Sequence, residues 1–155
     1  MHKEILIIRE IIGNPVLFVG LFAWLLAQFL KVPIQYILCR KVNWGLWFSS
    51  GGMPSSHSAL MSSITFAIGM FNGFDTPVFA LAFAMSMIVI YDAAGVRREA
   101  GRHAEKLNIL VNEFFSGQPI SEKQLKEVIG HTPAQVLAGI ALGVGTVMLF
   151  YWSWN

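Results

Sequence analysis

Apolar residues fall into four long stretches, each near the roughly 17–25 residues that a helix needs to cross a bilayer. These stretches cover about 15–30, 58–71, 77–94 and 133–152. Longer polar connections cover 31–57 and 95–132, whereas 72–76 leaves room only for a tight turn. The pattern predicts one all-α domain, 1–155, that forms an integral membrane bundle of about four transmembrane helices.

Local signals refine the ends of these stretches. Asn14 and Pro15 are typical of a helix N-cap and first turn, with Ile11 and Ile12 as an extension of the first stretch. The second long connection is predicted to hold short amphipathic helices, broken at 117–119 and restarted by a capping box from Ser121 to Gln124. In the last stretch, three glycines are interpreted as helix-packing positions: Gly139, Gly143 and Gly145.

Composition supports a membrane protein and excludes other classes. Hydrophobic residues make up 55% of the 155 positions and charged residues 13%, about half the usual charged share of soluble domains. A net charge of +2 does not favour nucleic acid as a partner. Most basic residues lie in the two long connections, so the positive-inside rule predicts that both face the cytoplasm, with a bacterial cytoplasmic membrane as the location.

Polar clusters stand at the ends of the four stretches. They contain Lys31 beside Gln28, the run Ser55-Ser56-His57, Asp92 followed by Arg97 and Arg98, and His131 followed by Gln135. An even number of crossings separates these clusters from one another, so all of them can converge on one face of the bundle.

This set of side chains suits phosphoryl transfer. One histidine can attack phosphorus while the other protonates the leaving oxygen. Arginine and lysine can neutralise charge on the non-bridging oxygens. A helix start rich in serine, after Gly51-Gly52, offers backbone N–H groups to an anion.

The order of these motifs resembles the type-2 phosphatidic acid phosphatase and vanadium haloperoxidase superfamily, most closely its small divergent branch. Pro54-Ser55-Ser56-His57 is similar to the family's Pro-Ser-Gly-His motif. The stretch from His131 to Gln135 has the spacing of the family's His-x-x-x-Asp motif. The resemblance extends from about Gln28 to Gly143.

The resemblance implies a role for each matching residue. His131 would be the nucleophile that forms a phosphohistidine, and His57 would be the general acid. The phosphate would be held by six residues: Lys31, Arg97, Arg98, Ser55, Ser56 and, as a substitute for the first motif's arginine, Arg40. The resemblance implies phospholipid or isoprenoid-phosphate substrates among the membrane lipids, and catalysis without a metal or other cofactor.

The sequence departs from the family pattern in three places. Leu38 occupies the position of the first motif's arginine, and about thirty residues separate Arg98 from His131. Gln135 replaces the aspartate that orients the nucleophilic histidine. An amide oxygen can hold one imidazole tautomer but does not stabilise an imidazolium as a carboxylate does, so Asp92 is the candidate for the missing carboxylate.

Other interpretations stay open. The basic residues can be snorkelling anchors, the serines simple helix caps, and Asp92 a member of a structural ion pair. A non-catalytic binder of lipid phosphate is the first alternative function. A small transporter is the second, although it would need polar residues midway along several spans, and these are largely absent. Glycine-mediated packing leaves homo-oligomers open.

Overall fold

The computed structural model describes residues 2–49, 51–114 and 130–154, and these residues form helices and no strands. The helices are α1 (His2–Ile12), α2 (Pro15–Cys39), α3 (Ser56–Asn72), α4 (Pro77–Ala94), α5 (Val96–Phe114) and α6 (Pro133–Trp154). A single 3₁₀ turn, Trp44–Phe48, is called the aromatic segment below. The all-α prediction is confirmed. The predicted break at 117–119 and the capping box at 121–124 lie outside the described residues.

Within the described residues, three helical regions are long and apolar enough to cross a membrane: α2, the run Pro77–Leu110 that begins with α4, and α6. The protein is therefore an integral membrane protein. Helix α3 has 17 residues, or about 26 Å at 1.5 Å per residue, slightly less than a hydrocarbon core of about 30 Å. A fourth crossing by α3 stays a prediction.

The N-terminal residues form a helix of their own rather than an extension of α2. Helix α1 ends where the Gly13 N–H donates to the Arg9 carbonyl at 2.9 Å. Helix α2 then starts with the predicted cap, because the Asn14 side chain accepts a hydrogen bond from the Leu17 N–H at 3.1 Å and Pro15 occupies the first turn. The expected extension through Ile11 and Ile12 is wrong, since Gly13 and Asn14 interrupt the helix.

Helix α2 continues nine residues past the predicted end of its apolar stretch, although it contains Pro33. A proline lacks an N–H and therefore leaves the carbonyl four residues earlier without its helical partner. That carbonyl belongs to Phe29, and the Trp47 indole N–H donates to it at 3.4 Å. The aromatic segment thus supplies the hydrogen bond that Pro33 removes, and it packs on α2 as a result.

Helix α3 lies at the centre of the bundle and contacts α2, α4 and α6. Its buried face consists mainly of serine, alanine, threonine and glycine, which let neighbouring backbones approach closely. On α6, a Cβ at Gly139 would overlap the Ser55 carbonyl, and one at Gly143 would overlap Ser62 and Ala59. Two of the three predicted packing glycines are thus confirmed.

Gly145 is the exception, because no atom of the part of the chain that the structure describes lies within 4 Å of the position where its Cβ would be. Gly145 follows Gly143 by two residues, which is about 200° around an α-helix, so Gly145 points away from α3. The interpretation of Gly145 as a packing position is wrong.

Buried hydroxyl groups occur midway along the helices, so the expectation that polar residues are largely absent there is wrong. Each of these hydroxyls donates to a backbone carbonyl of its own or an adjacent helix: Ser62, Ser63, Thr65, Ser86 and Thr146. The bonds of Thr65 and Ser86 run between α3 and α4, and hydrogen bonds of that kind help to hold helices together in a membrane. They do not form a path of exposed ligands, and the transporter interpretation gains nothing from them.

The predicted tight turn between α3 and α4 is confirmed. Gly73 caps α3 with a φ of 106°, a conformation that favours glycine. Thr76 caps α4 by accepting a hydrogen bond from the Phe79 N–H at 3.3 Å. The Phe74 ring lies against Gly69, where a side chain would overlap it. The turn lies at the opposite end of α3 from Ser55. It is also at the opposite end of α4 from Ala93, whose carbonyl binds the His131 N–H.

The close contact between α3 and α6 predicts different effects for two equivalent substitutions. Gly143→Ala should destabilise the protein by about 1–3 kcal/mol, because the added methyl overlaps the α3 backbone. Gly145→Ala is the matched control and should be neutral or slightly stabilising, since alanine favours a helix by about 0.5–1 kcal/mol over glycine. Thermal denaturation in detergent measures both, and equal melting temperatures would contradict this packing.

Candidate active site

Helix α6 begins with a reciprocal pair of hydrogen bonds between Thr132 and Gln135. The Gln135 N–H donates to the Thr132 hydroxyl oxygen at 3.4 Å, and the Thr132 N–H donates to Gln135 Oε1 at 3.1 Å. This is a capping box, which satisfies two N–H groups at the helix start. It also fixes Gln135 with its carbonyl oxygen directed back toward the residue before the cap, His131.

The same oxygen orients the His131 ring, since Nδ1 lies 3.1 Å from Gln135 Oε1. A backbone N–H can only donate, so the bond from Thr132 identifies Oε1 as the acceptor. Nδ1 must then carry a hydrogen and donate it to Oε1. In the neutral ring this leaves a lone pair on Nε2, which is the form that can attack phosphorus.

His131 is also held through its backbone. Its N–H donates to the Ala93 carbonyl at 3.1 Å, and the residue is only 5% exposed. This bond fastens the start of α6 to the end of α4, next to Asp92, which is half-buried. The structure therefore brings the predicted nucleophile to the helix end that carries the predicted carboxylate.

A third bond joins the starts of α3 and α6. The Ser55 N–H donates to the Gln135 carbonyl at 3.0 Å, while the Ser55 hydroxyl caps α3 by accepting hydrogen bonds from the Ser58 N–H at 3.3 Å and the Ser58 hydroxyl at 3.0 Å. Ser55 is fully buried. Its N–H is thus committed to the fold, and its predicted role toward phosphate narrows to its hydroxyl hydrogen.

His57 and Ser56 occupy the first turn of α3, directly after this junction. Ser56 is 2% exposed, whereas His57 is half-buried. The hydrogen bond from Ser55 to Gln135 connects the two helix starts. His57 lies two residues after Ser55, and His131 lies four residues before Gln135. The structure thus brings the segments that carry the two histidines to the same end of the bundle.

Lys31 lies inside α2 rather than in the polar connection where the sequence placed it. Its side chain is 0% exposed, and its ammonium donates to the Ser49 carbonyl at 2.7 Å. Gln28, one turn earlier, donates to the same carbonyl at 3.2 Å. Gly52, two residues before Pro54, approaches the Lys31 stem. The predicted partnership of Gln28 and Lys31 on one helix face is confirmed.

A single carbonyl is a weak partner for a buried ammonium, which has three hydrogens to donate. Among the described residues, the Lys31 ammonium makes this one hydrogen bond. Burying a charge in this way is costly unless an opposite charge compensates it. An anion beside Lys31, at the loop that leads into α3, would supply that compensation.

Arg40 is not brought to Lys31. It caps the far end of α2 in a left-handed conformation, nine residues or about 13 Å further along the helix axis, with its guanidinium 6.0 Å from the centre of the Tyr36 ring. Arg97 and Arg98 lie in the first turn of α5, directly after α4. Their predicted contact with phosphate stays a prediction.

Sequence reasoning missed several residues of this region. Thr132 went unassigned, although a threonine three residues before a glutamine at a helix start is a capping-box signal. Ser49 and Trp47 act through backbone carbonyls, for which no side-chain pattern exists. The hydrogen bond from the Trp47 indole to α2 was indicated by one feature of the sequence, a proline inside an otherwise apolar helix.

Comparisons with known proteins give a family and one relative. The model of the Divergent PAP2 family matches residues 12–146. The chain is 38% identical over 146 residues to the uncharacterized membrane protein YuiD of Bacillus subtilis (strain 168), a match that covers 87% of this chain and 92% of that protein. No solved structure matches the chain significantly.

The hydrogen bond between Gln135 and His131 predicts a tautomer that can be measured. Gln135→Leu should remove the preference for a hydrogen on Nδ1 and weaken the start of α6, because the acceptor for both N–H groups is lost. Gln135→Glu is the matched control, since a carboxylate oxygen can accept the same two bonds. Nitrogen-15 chemical shifts of the labelled His131 ring report the tautomer, and a wild-type pattern in Gln135→Leu would contradict this assignment.

Proposed function

The chain belongs to the Divergent PAP2 family, and from this premise we propose that it is a membrane phosphatase that hydrolyses a lipid phosphate monoester. One observation carries the proposal: Gln135, fixed by the capping box, directs the Nδ1 hydrogen of His131 toward itself and leaves a lone pair on Nε2. A buried histidine oriented in this way at a helix end has the form that nucleophilic catalysis requires.

The first step transfers the phosphoryl group to the protein. His131 Nε2 attacks phosphorus, the bond from phosphorus to the lipid oxygen breaks, and its electron pair goes to that oxygen. His57 protonates the oxygen as the lipid alcohol leaves. The product is a phosphohistidine at His131 with the Nδ1 hydrogen still donated to Gln135.

The second step returns the protein to its starting state. His57, now neutral, accepts a proton from a water molecule that attacks phosphorus. The bond between phosphorus and His131 Nε2 breaks, its electron pair returns to Nε2, and inorganic phosphate leaves. Lys31 is the cation that we assign to the non-bridging oxygens, because its buried ammonium lacks a compensating anion among the described residues. Arg97 and Arg98 are the further candidates.

With Gln135 rather than a carboxylate beside His131, we expect a modest rate of phosphate release. The attack places positive charge on the His131 ring, and an amide oxygen stabilises that charge less than a carboxylate does. Asp92 precedes the residue whose carbonyl binds the His131 N–H, so we propose that its carboxylate supplies part of the missing negative charge. A binder of lipid phosphate without turnover is the alternative that a neutral Gln135 favours.

The proposed site faces the cytoplasm of a bacterial cell and takes its substrate from the inner leaflet. Four crossings would bring the residues between α2 and α3 and those between α4 and α6, with eight of the eleven basic residues, to one side, and the positive-inside rule assigns that side to the cytoplasm. Phosphatidic acid, phosphatidylglycerophosphate and isoprenoid phosphates all present the phosphate monoester that this chemistry requires.

Substitution of the two histidines tests the mechanism step by step. His131→Ala and His57→Ala should each lower phosphate release from short-chain lipid phosphates by about 10²-fold or more. Substrate labelled in its phosphate should leave a transient label on wild-type protein and none on His131→Ala. Retained release in both variants would contradict the proposal.

Binding without any product in the wild-type protein would instead support the non-catalytic alternative. His103→Ala is the matched control, because His103 is exposed on α5 and has no assigned role. The rate of this variant should equal that of the wild-type protein.

A further inference from the structure

A cavity opens beside the buried Lys31, between α2 and the aromatic segment. Its volume is about 400 Å³, which lies within the range of roughly 300–1,000 Å³ that is usual for ligand sites. Its walls are almost entirely apolar and are formed by Trp24, Leu25, Gln28, Phe29, Trp47 and Phe48. None of these side chains has a role in the proposed chemistry.

One residue of the cavity wall shares a hydrogen-bond acceptor with Lys31. Gln28 lines the cavity, and its amide donates to the Trp47 carbonyl at 2.6 Å and to the Ser49 carbonyl at 3.2 Å. The Ser49 carbonyl is also the acceptor for the Lys31 ammonium. The Gln28 amide in the cavity wall and the buried Lys31 ammonium therefore donate to the same oxygen atom.

The position of the cavity along α2 matches the way a lipid lies in a leaflet. Lys31 is sixteen residues, or about 24 Å, from the start of α2 at Pro15, and thus near one edge of a hydrocarbon core of about 30 Å. Residues 24–29 lie between Lys31 and the middle of the membrane. A lipid whose phosphate reaches Lys31 would have its hydrocarbon chain at the level of this cavity.

The residues at the mouth of the cavity have the character of a membrane-facing surface. Phe48 is 93% exposed and Phe29 is 59% exposed, and the rings of Phe29 and Trp47 stack edge to face with centroids 5.8 Å apart. Aromatic residues of this kind are typical of the membrane interface. At this level of α2 such a surface would face lipid, so that a hydrocarbon chain could enter the cavity without crossing water.

We propose that this cavity binds the hydrocarbon chain of a lipid phosphate and so positions the phosphate beside Lys31. The inference rests on the proposed function for the phosphate but not on turnover. Hydrocarbon outside the cavity is as apolar as its walls, so transfer alone gives little free energy. Packing against the aromatic rings, together with the contact between phosphate and ammonium, must therefore select this lipid over others.

Gln28 adds a preference within this class of ligand. Its Oε1 is shielded from solvent and makes no hydrogen bond within the described residues, and a buried acceptor without a donor is costly. A hydroxyl or amide N–H next to the phosphate of the bound lipid would satisfy it. We therefore expect lipid phosphates that carry such a donor to bind more tightly than plain alkyl phosphates.

Tryptophan fluorescence tests the cavity without requiring catalysis. Trp44, Trp152 and Trp154 are replaced by Phe, so that only the two cavity residues Trp24 and Trp47 emit. The protein is placed in lipid nanodiscs and titrated with a single-chain alkyl phosphonate that carries bromine on its chain and cannot be hydrolysed. We expect saturable quenching, above the linear quenching given by the brominated alcohol of equal chain length.

Three substitutions in this background locate the bound chain. Leu25→Phe narrows the cavity and Phe48→Ala removes one of its walls, so each should raise the apparent Kd of the phosphonate about tenfold. Both residues are exposed, so the fold should tolerate the changes. Leu81→Phe, at an exposed position of α4 outside the cavity, is the control and should leave the Kd unchanged.

The outcomes separate this inference from the proposed enzyme. Quenching that matches the alcohol, or a Kd that neither Leu25→Phe nor Phe48→Ala changes, would overturn the cavity as a chain site even if lipid phosphate is hydrolysed. Saturable quenching that both variants weaken would support the cavity even in a protein that releases no phosphate.

Discussion

The hydrogen bonds of Gln135 are the interaction on which the candidate site depends. Its backbone carbonyl accepts the Ser55 N–H, and its side-chain oxygen accepts both the Thr132 N–H and the Nδ1 hydrogen of His131. One residue therefore joins the start of α3 to the start of α6, caps α6 and selects the tautomer of His131, the proposed nucleophile. An aspartate at this position would add a negative charge. The glutamine oxygen already makes both hydrogen bonds without that charge.

Close packing of small residues makes that junction feasible. Helices in a membrane gain little from the hydrophobic effect, so they associate through backbone approach and hydrogen bonds. Gly139 and Gly143 allow α6 to lie directly on α3, and the Ser62 hydroxyl donates to carbonyls of its own helix and to Ile140 on α6. A bundle packed in this way has little freedom to move the two helix starts apart. The precise placement of the histidines thus begins with residues that carry no chemistry.

The sequence predicted the elements whose signals are local. The cap at Asn14 and the turn around Gly73 follow from short spacing rules, whereas the orientation of His131 by Gln135 was implied by the resemblance to a family motif, and the structure contains all three. The length of α2 could not be predicted, because the Phe29 carbonyl that Pro33 leaves without its helical partner accepts a hydrogen bond from Trp47, eighteen positions further along the chain. The burial of Lys31 and the cavity beside it depend on the same fold of the aromatic segment. Tertiary hydrogen bonds to backbone atoms leave no pattern in a sequence.

A structure of the protein with vanadate in a lipid environment would show whether His131 and His57 act on one phosphorus atom. Vanadate can adopt the five-coordinate geometry of phosphoryl transfer and therefore shows which atoms surround phosphorus during the reaction. We expect vanadium bonded to His131 Nε2, with the His57 ring at the oxygen on the opposite side and the Lys31 ammonium beside an equatorial oxygen. Vanadate bound elsewhere, a bond through His131 Nδ1, or a His57 ring outside hydrogen-bonding distance of the vanadate would contradict the proposed mechanism.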